Sequence, residues 1–348
     1  MENIQATNMQ SELRAPQVPS AVPTPVHGFK AARFIKEIGR GKDGARSLSR
    51  QDAHDLYSAM LDEQVSDLEM GGILLAMRIK GESVDEIAGF LAAAVSAVMP
   101  FQAPPGGEFS PIVIPSYNGA RKKANLTPLL AMLLAQAGAP VLLHGVTRDA
   151  GRVTTAEILA SLGIAPAQNV IQAQEQLLTA KLTFVPIQVL APKMHRILSM
   201  RSVLGVRNST HTLVKLLRPF ILSPKPAVHL NSYTHPEYLV MLDAYLRTLT
   251  TLQAGATLLM RATEGETVAS TGRAQQIDCY CQGQQKQLCE TESQLTSIAE
   301  NLPQSADAVE TAAWIQRVLQ GDIPVPVNIA RQVELCLQVA RDLKSATA

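Results

Sequence analysis

The residues of this chain best suited to chemistry are lysines and arginines in two stretches without acidic residues, 109–148 and 176–236. The stretches hold 12 of the 31 basic residues and none of the 30 acidic ones, so the rest of the chain has 19 basic residues against 30 acidic ones. Segregated positive charge is typical of proteins that bind polyanions. The basic residues are Arg121, Lys122, Lys123, Arg148, Lys181, Lys193, Arg196, Arg201, Arg207, Lys215, Arg218 and Lys225.

A formal net charge of +1 conceals this segregation. Stretches without acids could simply be buried, but buried segments are also poor in Lys and Arg, and these are not. We therefore predict contacts to the phosphates of DNA or RNA. Aromatic residues make up 4% of the chain, and Tyr117, Phe220 and Tyr233 are the candidates for base stacking. With so few aromatic residues, we expect backbone contacts and weak sequence preference.

Residues for covalent or metal chemistry are less conspicuous. The four cysteines form no CxxC pair and no other metal-binding spacing. Single histidines lie in or near the basic stretches, at His144, His195, His211 and His235, and none has a carboxylate partner suggested by the sequence. We therefore nominate no catalytic residue and expect no cofactor.

Hydrophobic periodicity divides the chain into a helical part and an α/β part. Residues 1–28 are rich in Pro, Gln, Ser and Ala without periodicity, which predicts a disordered tail. Residues 29–103 have apolar residues at helical spacing, with capping patterns that begin at Ser49, Ser66 and Ser83. These patterns predict a small all-helical N-terminal domain.

The pattern of the sequence changes at residue 108. Short apolar runs predict buried strands at 112–114, 141–143, 182–185, 227–230 and 256–260, with helices between and after them. Strands that alternate with helices favour a mostly parallel sheet. We therefore expect a two-domain α/β protein in which a larger α/β domain spans 108–348.

The stretch 48–94 contains the turn MRIKGES followed by DEIAGF, and it resembles the helical domain of anthranilate phosphoribosyltransferases. The same domain occurs in pyrimidine nucleoside phosphorylases, and the similarity continues to about residue 268. The strings IPSYNGARKKANLTPLLA and LGVRNSTHTLVKLL are most similar to the YbiB group of that family. The resemblance implies the family's two-domain fold, with part of 193–222 joining the helical domain. From the YbiB group it implies a dimeric DNA-binding protein.

Active members of the family bind a diphosphate with a G-T-G-G-D loop, an N-x-S-T helix start and a K-H-G-N turn. Their glycines and helix N-terminus suit an anion. The matching residues here are Ser116, Tyr117, Asn118, Gly119, Asn125, Thr127, His144 and Gly145. Pro115 removes an N–H group, and Tyr117 puts a bulky ring in the loop. The resemblance therefore implies a degenerate phosphosugar pocket, although Arg201, Gly205 and Arg207 keep the family's R…LGxR pattern.

The family's adjacent acidic pair, which holds Mg²⁺, is also missing. Glu264 and Glu266 stand near its place as weak metal candidates, and we expect them to be solvated surface. Nucleic-acid binding is therefore favoured over the alternative, a glycosyltransferase or phosphoribosyltransferase that uses a phosphosugar diphosphate and Mg²⁺. The expected nucleic-acid contacts are Arg121, Lys122, Lys123, Arg148, Lys193, Arg196, Arg201, Arg207, Lys215 and Arg218.

Assembly and location follow from the same patterns. The family dimerises through the small domain, and Ile73, Leu74, Met77 and Phe90 offer apolar surface, so we expect a homodimer through residues 30–100. No apolar run reaches the roughly 18 residues that span a bilayer. The first residues also lack the basic-then-apolar pattern of a secretion signal. We therefore expect a cytoplasmic protein without a membrane partner.

Overall fold

The computed structural model describes residues 28–41, 43–292 and 302–347. It has a small helical domain followed by a larger α/β domain with a mostly parallel sheet, as the sequence predicts. The predicted disordered tail, residues 1–28, lies outside the described residues except for its last residue. Within the described ranges, no helix has both the length and the apolar character needed to cross a bilayer.

The small domain consists of the helices α1 (Ala32–Ile38), α2 (Arg50–Leu61), α3 (Asp67–Lys80) and α4 (Val84–Ala94). The three predicted caps are confirmed, because the side chains of Ser49, Ser66 and Ser83 each accept the N–H group three residues later. The caps satisfy donors that would otherwise be left free at the helix N-termini. Local sequence therefore fixes where these helices begin.

The sequence analysis chose the wrong residues for the exposed apolar surface of this domain. Ile73, Leu74, Met77 and Phe90 are all buried in the core. The exposed apolar side chains of α3 are instead Leu68, Leu75 and Ile79. The periodicity shows that α3 has an apolar face, but it does not show which apolar residues the neighbouring helices cover.

The sheet of the α/β domain combines parallel and antiparallel strands. Its strands are β1 (Ile112–Ser116), β2 (Val141–Gly145), β3 (Leu182–Pro186), β4 (Val228–Tyr233), β5 (Ala256–Arg261), β6 (Ile277–Cys281) and β7 (Gln284–Cys289). They lie in the order β3-β2-β1-β4-β5-β6-β7. The strands from β3 to β5 are parallel, and β6 and β7 are antiparallel to their neighbours. The strands β1, β2 and β3 are buried along their whole length, as expected where helices cover both faces.

Helices connect and cover these strands. They are α5 (Thr127–Gln136), α6 (Thr155–Ser161), α7 (Val170–Thr179), α8 (Ile187–Leu190), α9 (Pro192–Ser199), α10 (Arg201–Leu204), α11 (Thr210–Leu213), α12 (Pro236–Arg247), α13 (Ala308–Gln320) and α14 (Val327–Ser345). Alternation along β1 separates two cores, because Val113 joins the core shared with the helical domain. Ile112 and Ile114 join the core formed with α5, α13 and α14.

The segment from α8 to α11 packs on the helical domain. The hydroxyl of Tyr57 lies 3.0 Å from that of Thr210. A guanidinium nitrogen of Arg196 donates to the carbonyl oxygen of Met60 over 2.6 Å. These contacts join α9 and α11 to α2.

The order of the strands reverses between β1 and β4. From β1 the chain adds β2 and β3 toward one edge of the sheet, and it then adds β4 and β5 on the other side of β1. In open α/β sheets, ligands bind outside the carboxyl ends of the strands at such a switch point. The loops after β1, β2, β4 and β5 all lie at this end.

The sequence patterns did not predict the helices α7 to α11 or the hairpin of β6 and β7. The first four residues of β7 are exposed and read QQKQ, so this edge strand has no apolar run. An amphipathic pattern over 236–252 predicts a helix there, but α12 ends earlier, at Arg247. An exposed edge strand of this kind carries the weakest hydrophobic signal.

Candidate nucleic-acid interface

A carboxylate of the chain itself closes the loop after β1. Oε1 of Glu266, after β5, accepts hydrogen bonds from the backbone N–H groups of Asn118 (2.8 Å) and Gly119 (2.5 Å). Gly119 has a φ of +66°, and a β-carbon there would lie 2.7 Å from the carbonyl oxygen of Val153, so this turn requires glycine. Burial raises the pKa of Glu266, and the hydrogen bond from Gly119 opposes that effect. Glu266 thus occupies two amides that would suit a bound anion.

Glu264 occupies the next two free amides of the same loop. Its Oε2 accepts the N–H groups of Arg121 (3.2 Å) and Lys122 (3.1 Å). The expectation of solvated surface is wrong for Glu266, which is 1% exposed. Among the described residues, no group of three or more His, Cys, Asp or Glu side chains is arranged to hold a metal ion. The two weak metal candidates are therefore engaged by backbone donors.

The side chain of Asn125, just before α5, bonds to the backbone of Thr127 and to the side chain of Thr155. The side-chain oxygen of Asn125 accepts the N–H of Thr127 over 3.1 Å, and its amide nitrogen donates to Oγ1 of Thr155 over 2.9 Å. The hydroxyl of Ser116 donates to the same oxygen over 2.8 Å. All four residues are buried. An N–H group at the start of α5 is thus bonded within the protein rather than open to a ligand.

The ring of Tyr117 turns into the protein. Its hydroxyl lies 2.7 Å from Nδ1 of His144, near the end of β2, and the two rings meet edge to face. Burial lowers the pKa of His144 to about 3 and raises the pKa of Tyr117. His144 is therefore neutral at physiological pH. Gly145 completes β2 in register with Ser116.

Basic side chains from the loops after β1 and β2, and from α10 and the turn after it, lie near the carboxyl ends of the strands. The guanidinium of Arg201 lies 3.5 Å from Asp149, in the loop after β2. Arg152, in the same loop, donates to the carbonyl oxygen of Gly119 over 3.2 Å. Burial, and then the nearby charges of Arg201 and Arg152, lower the pKa of Arg207. We call the following set the basic face: Arg121, Lys122, Lys123, Arg148, Arg152, Arg201 and Arg207.

Three of the cations predicted as contacts lie away from the basic face. Lys193 and Arg196, on α9, form ion pairs of 2.6 Å and 3.4 Å with acids that follow α2. Arg218 donates to the hydroxyl of Thr257 over 3.1 Å, at the amino end of β5. The amino ends of the parallel strands face the opposite side of the sheet. Closeness in the sequence therefore does not place these three with the others.

A cleft of about 620 Å³ lies between the helical domain and the carboxyl end of β4. Its cations are Arg78 of α3, Arg207 after α10 and Lys215 after α11. Burial lowers the pKa of Lys215 to about 8, with Glu266 acting in the opposite direction. The sequence prediction includes neither Arg78 nor Arg152, although Arg78 lies in the MRIKGES turn.

One wall of the cleft is aromatic. Tyr233 ends β4, and His235 and Tyr238 lie at the start of α12. The prediction that Tyr117 and Phe220 stack on bases is wrong, because both side chains are buried. Tyr233 is half-buried and lines the cleft, as does Tyr238, which the sequence prediction omits. Tyr233 and Tyr238 are therefore the rings that a ligand in the cleft would contact.

The protein has a glycosyl transferase fold, defined by the helical bundle, the mixed sheet and the loops at its switch point. In the loop after β1, carboxylates of the protein itself occupy the backbone amides. The chain belongs to the glycosyl transferase family. The family's helical bundle domain matches residues 32–98, and its a/b domain matches residues 118–338. The resemblance to anthranilate phosphoribosyltransferases is thus confirmed at the level of the family.

Two relatives show the range of the similarity. The uncharacterized protein YbiB of Escherichia coli K12 is 44% identical over 305 residues, which cover 88% of this chain and 92% of YbiB. An anthranilate phosphoribosyltransferase of Bradyrhizobium diazoefficiens is 35% identical over 127 residues, or 36% of each chain.

Solved structures agree in fold. The anthranilate phosphoribosyltransferase of Thermus thermophilus has a TM-score of 0.66 at 21% identity and covers 91% of this chain and 94% of its own. The Saccharomyces cerevisiae enzyme in complex with PRPP and Mg has a TM-score of 0.64 at 14% identity, with the same coverage. At these identities the likeness concerns the fold alone.

Proposed function

We propose that this chain binds nucleic acid without sequence preference, through contacts of the basic face to phosphates. One observation carries the proposal. Cations gather at the carboxyl edge of the sheet, while the backbone amides of the neighbouring loop are occupied by Glu264 and Glu266. The surface therefore favours anions through side-chain charge, and the loop does not offer its amides to a diphosphate.

The basic face is poorly neutralised within the protein. Among the described residues, Arg201 with Asp149 is the one ion pair that the face makes. Arg121, Lys122, Lys123 and Arg148 are exposed. A nucleic acid that binds to unpaired cations of this kind releases the counterions condensed on its own phosphates, and that release favours binding. This chemistry suits DNA and RNA alike, because it does not read base edges.

The test of the proposal is a salt titration on two unrelated oligonucleotides. Each phosphate neutralised contributes a slope of about −0.9 for duplexes, or about −0.7 for single strands, in log K against log salt. If four to six cations take part, affinity should fall by roughly two to three orders of magnitude between about 50 and 200 mM salt. Replacing Arg121, Lys122 and Lys123 together by Ala should flatten the slope equally on both sequences.

A matched control removes three positive charges from the second acid-free stretch, at positions away from the basic face. Lys181 and Lys225 precede β3 and β4 at the amino ends of the strands, and Lys193 lies on α9. The triple Ala variant of these lysines should keep the wild-type slope. Salt-insensitive binding, or equal slopes for the two triple variants, would show that the basic face is not the binding surface.

The alternative function is a transferase that uses phosphoribosyl diphosphate and Mg²⁺, or another phosphosugar. The names of the relatives favour it, whereas the occupied amides oppose it. Calorimetry with phosphoribosyl diphosphate and Mg²⁺ separates the two functions. We expect no binding in the micromolar range and no ribosylation of anthranilate, and micromolar binding would restore the transferase.

A further inference from the structure

We propose that the cleft between the helical domain and β4 binds one nucleotide of a nucleic-acid strand, with its phosphate on Arg78, Arg207 and Lys215 and its base against Tyr233 and Tyr238. This inference rests on the proposed function. It assigns the cleft to one nucleotide of the strand that the basic face binds. It also predicts a preference for single strands, because a base must be unstacked to enter the cleft.

The phosphate end of the cleft is defined by cations without partners. Among the described residues, Arg78, Arg207 and Lys215 have no carboxylate within ion-pair distance of their charged groups. Glu82 and Glu237 also line the cleft, and neither forms an ion pair with these three. Three converging cations that form no ion pair favour a bound anion.

The titration of this group supports the same assignment. Burial, and then the charges of Arg207, Arg201 and Lys215, lower the pKa of His211 to about 4, against a hydrogen bond with Asn208. Arg207 in turn lies near Arg78. A phosphate among these groups would offset the repulsion that the folded protein now carries.

The size and the walls of the cleft indicate more than a free phosphate. A volume of about 620 Å³ lies within the range of roughly 300–1,000 Å³ that is typical of small-molecule sites. Tyr233, His235 and Tyr238 provide flat rings, and Met241 and Leu242 provide apolar surface beside them. Aromatic and apolar walls beside cations match a nucleobase linked to its phosphate.

The cleft is continuous with the proposed binding surface. Arg207 belongs both to the basic face and to the lining of the cleft. A strand that tracks the basic face can therefore place one nucleotide in the cleft without a second attachment point. Free nucleotides have the same chemistry, so the experiment must separate the two sources.

The experiment measures binding of a nucleoside 5′-monophosphate, of inorganic phosphate, and of a single-stranded and a duplex oligonucleotide of one sequence. We expect the monophosphate to bind with a dissociation constant of roughly 10 µM to 1 mM, and phosphate much more weakly. Tyr238→Ser should lower the affinity for the monophosphate about tenfold and reduce the preference for the single strand, whereas Tyr238→Phe should keep both. Arg78→Ala should also lower the affinity for the monophosphate, because it removes an exposed cation.

The control is the Ala variant of Lys181, Lys193 and Lys225, which should bind the monophosphate as the wild type does. An oligonucleotide that binds while the monophosphate does not, or phosphate that binds as well as the monophosphate, overturns the cleft assignment and leaves the proposed function standing. A monophosphate that binds while oligonucleotides do not supports the cleft, with free nucleotides as its source, and overturns the proposed function instead.

Discussion

Single side chains decide what the loop after β1 can bind. Glu266 and Glu264 accept the N–H groups of Asn118, Gly119, Arg121 and Lys122. A competing anion would have to displace carboxylates that are already hydrogen-bonded, and in the case of Glu266 buried. The bulk of Tyr117 does not block the loop as the sequence suggested, because that ring is buried against His144.

His144 makes stability depend on acid. Its pKa is lowered by burial to about 3, while an unfolded chain has a histidine pKa of about 6.5. Below about pH 6.5 the unfolded state binds a proton at this histidine, whereas the folded state does not. The contribution of His144 to stability is therefore highest above about pH 6.5 and falls as the pH approaches 3. His144→Gln keeps an acceptor for the Tyr117 hydroxyl. It should reduce the slope of unfolding free energy by about 1.2 kcal/mol per pH unit in urea unfolding series between about pH 6 and 5.

The control for this effect is His235→Gln, which changes an exposed histidine at the start of α12. We expect it to leave the slope unchanged. The wild-type slope should also contain a contribution from His229, since burial lowers the pKa of that histidine too. A His144→Gln slope equal to that of the wild type would mean that the folded protein protonates His144 readily.

At the scale of elements, a buried carboxylate joins α3 to α4. Glu86, at the third position of α4, accepts from Lys80 (2.6 Å) and from the backbone of Leu48 (2.8 Å) and Ser83 (2.8 Å). The side chains of Lys80 and Glu86 are 8% and 0% exposed. Glu86→Ala would leave the buried Lys80 ammonium without a counter-charge, with the carbonyl oxygen of Gly81 as its remaining acceptor, and two amides without an acceptor. We expect a loss of about 3–5 kcal/mol in urea unfolding.

The capping box of α3 provides the matched control. Glu69 makes the same backward hydrogen bond to Ser66, but it is half-buried and has no buried cation as a partner. Glu69→Ala should cost about 1 kcal/mol, the usual value of a helix cap. Equal losses in the two variants would show that the Lys80 ion pair adds nothing beyond the cap.

At the scale of the whole molecule, we propose that two copies associate through α3. Leu68 (87%), Leu75 (41%) and Ile79 (69%) are exposed at helical spacing on this helix. An exposed apolar row is typical of an interface, and a two-fold axis would bring the row against its own copy. Light scattering at micromolar concentration should give twice the chain mass of 37.4 kDa.

Charged variants test where the interface lies. Leu75→Glu with Ile79→Glu should give a monomer, because two carboxylates would have to be desolvated in the interface. Ile171→Glu is the control, since Ile171 is 82% exposed but lies on α7 of the α/β domain. A monomeric wild type would rule out the dimer, and dissociation by the Ile171 variant alone would move the interface away from α3.

The sequence by itself determined the two domains, the caps of α2 to α4 and the parallel strands. These features depend on neighbours a few residues apart, or on burial so complete that a strand reads as an apolar run. It also indicated that positive charge is segregated. The sequence did not predict the edge strand β7, because its exposed polar residues have no hydrophobic periodicity.

The tertiary structure alone decided which charges share a surface. It separated Arg218, which lies in an acid-free stretch, from the basic face, and it added Arg152, which lies outside both stretches. It also brought Glu266 to the amide of Asn118, 148 residues away along the chain. Parallel strands place the ends of distant segments at one edge of the sheet, and a contact of that kind depends on strand order, which no local pattern of residues encodes.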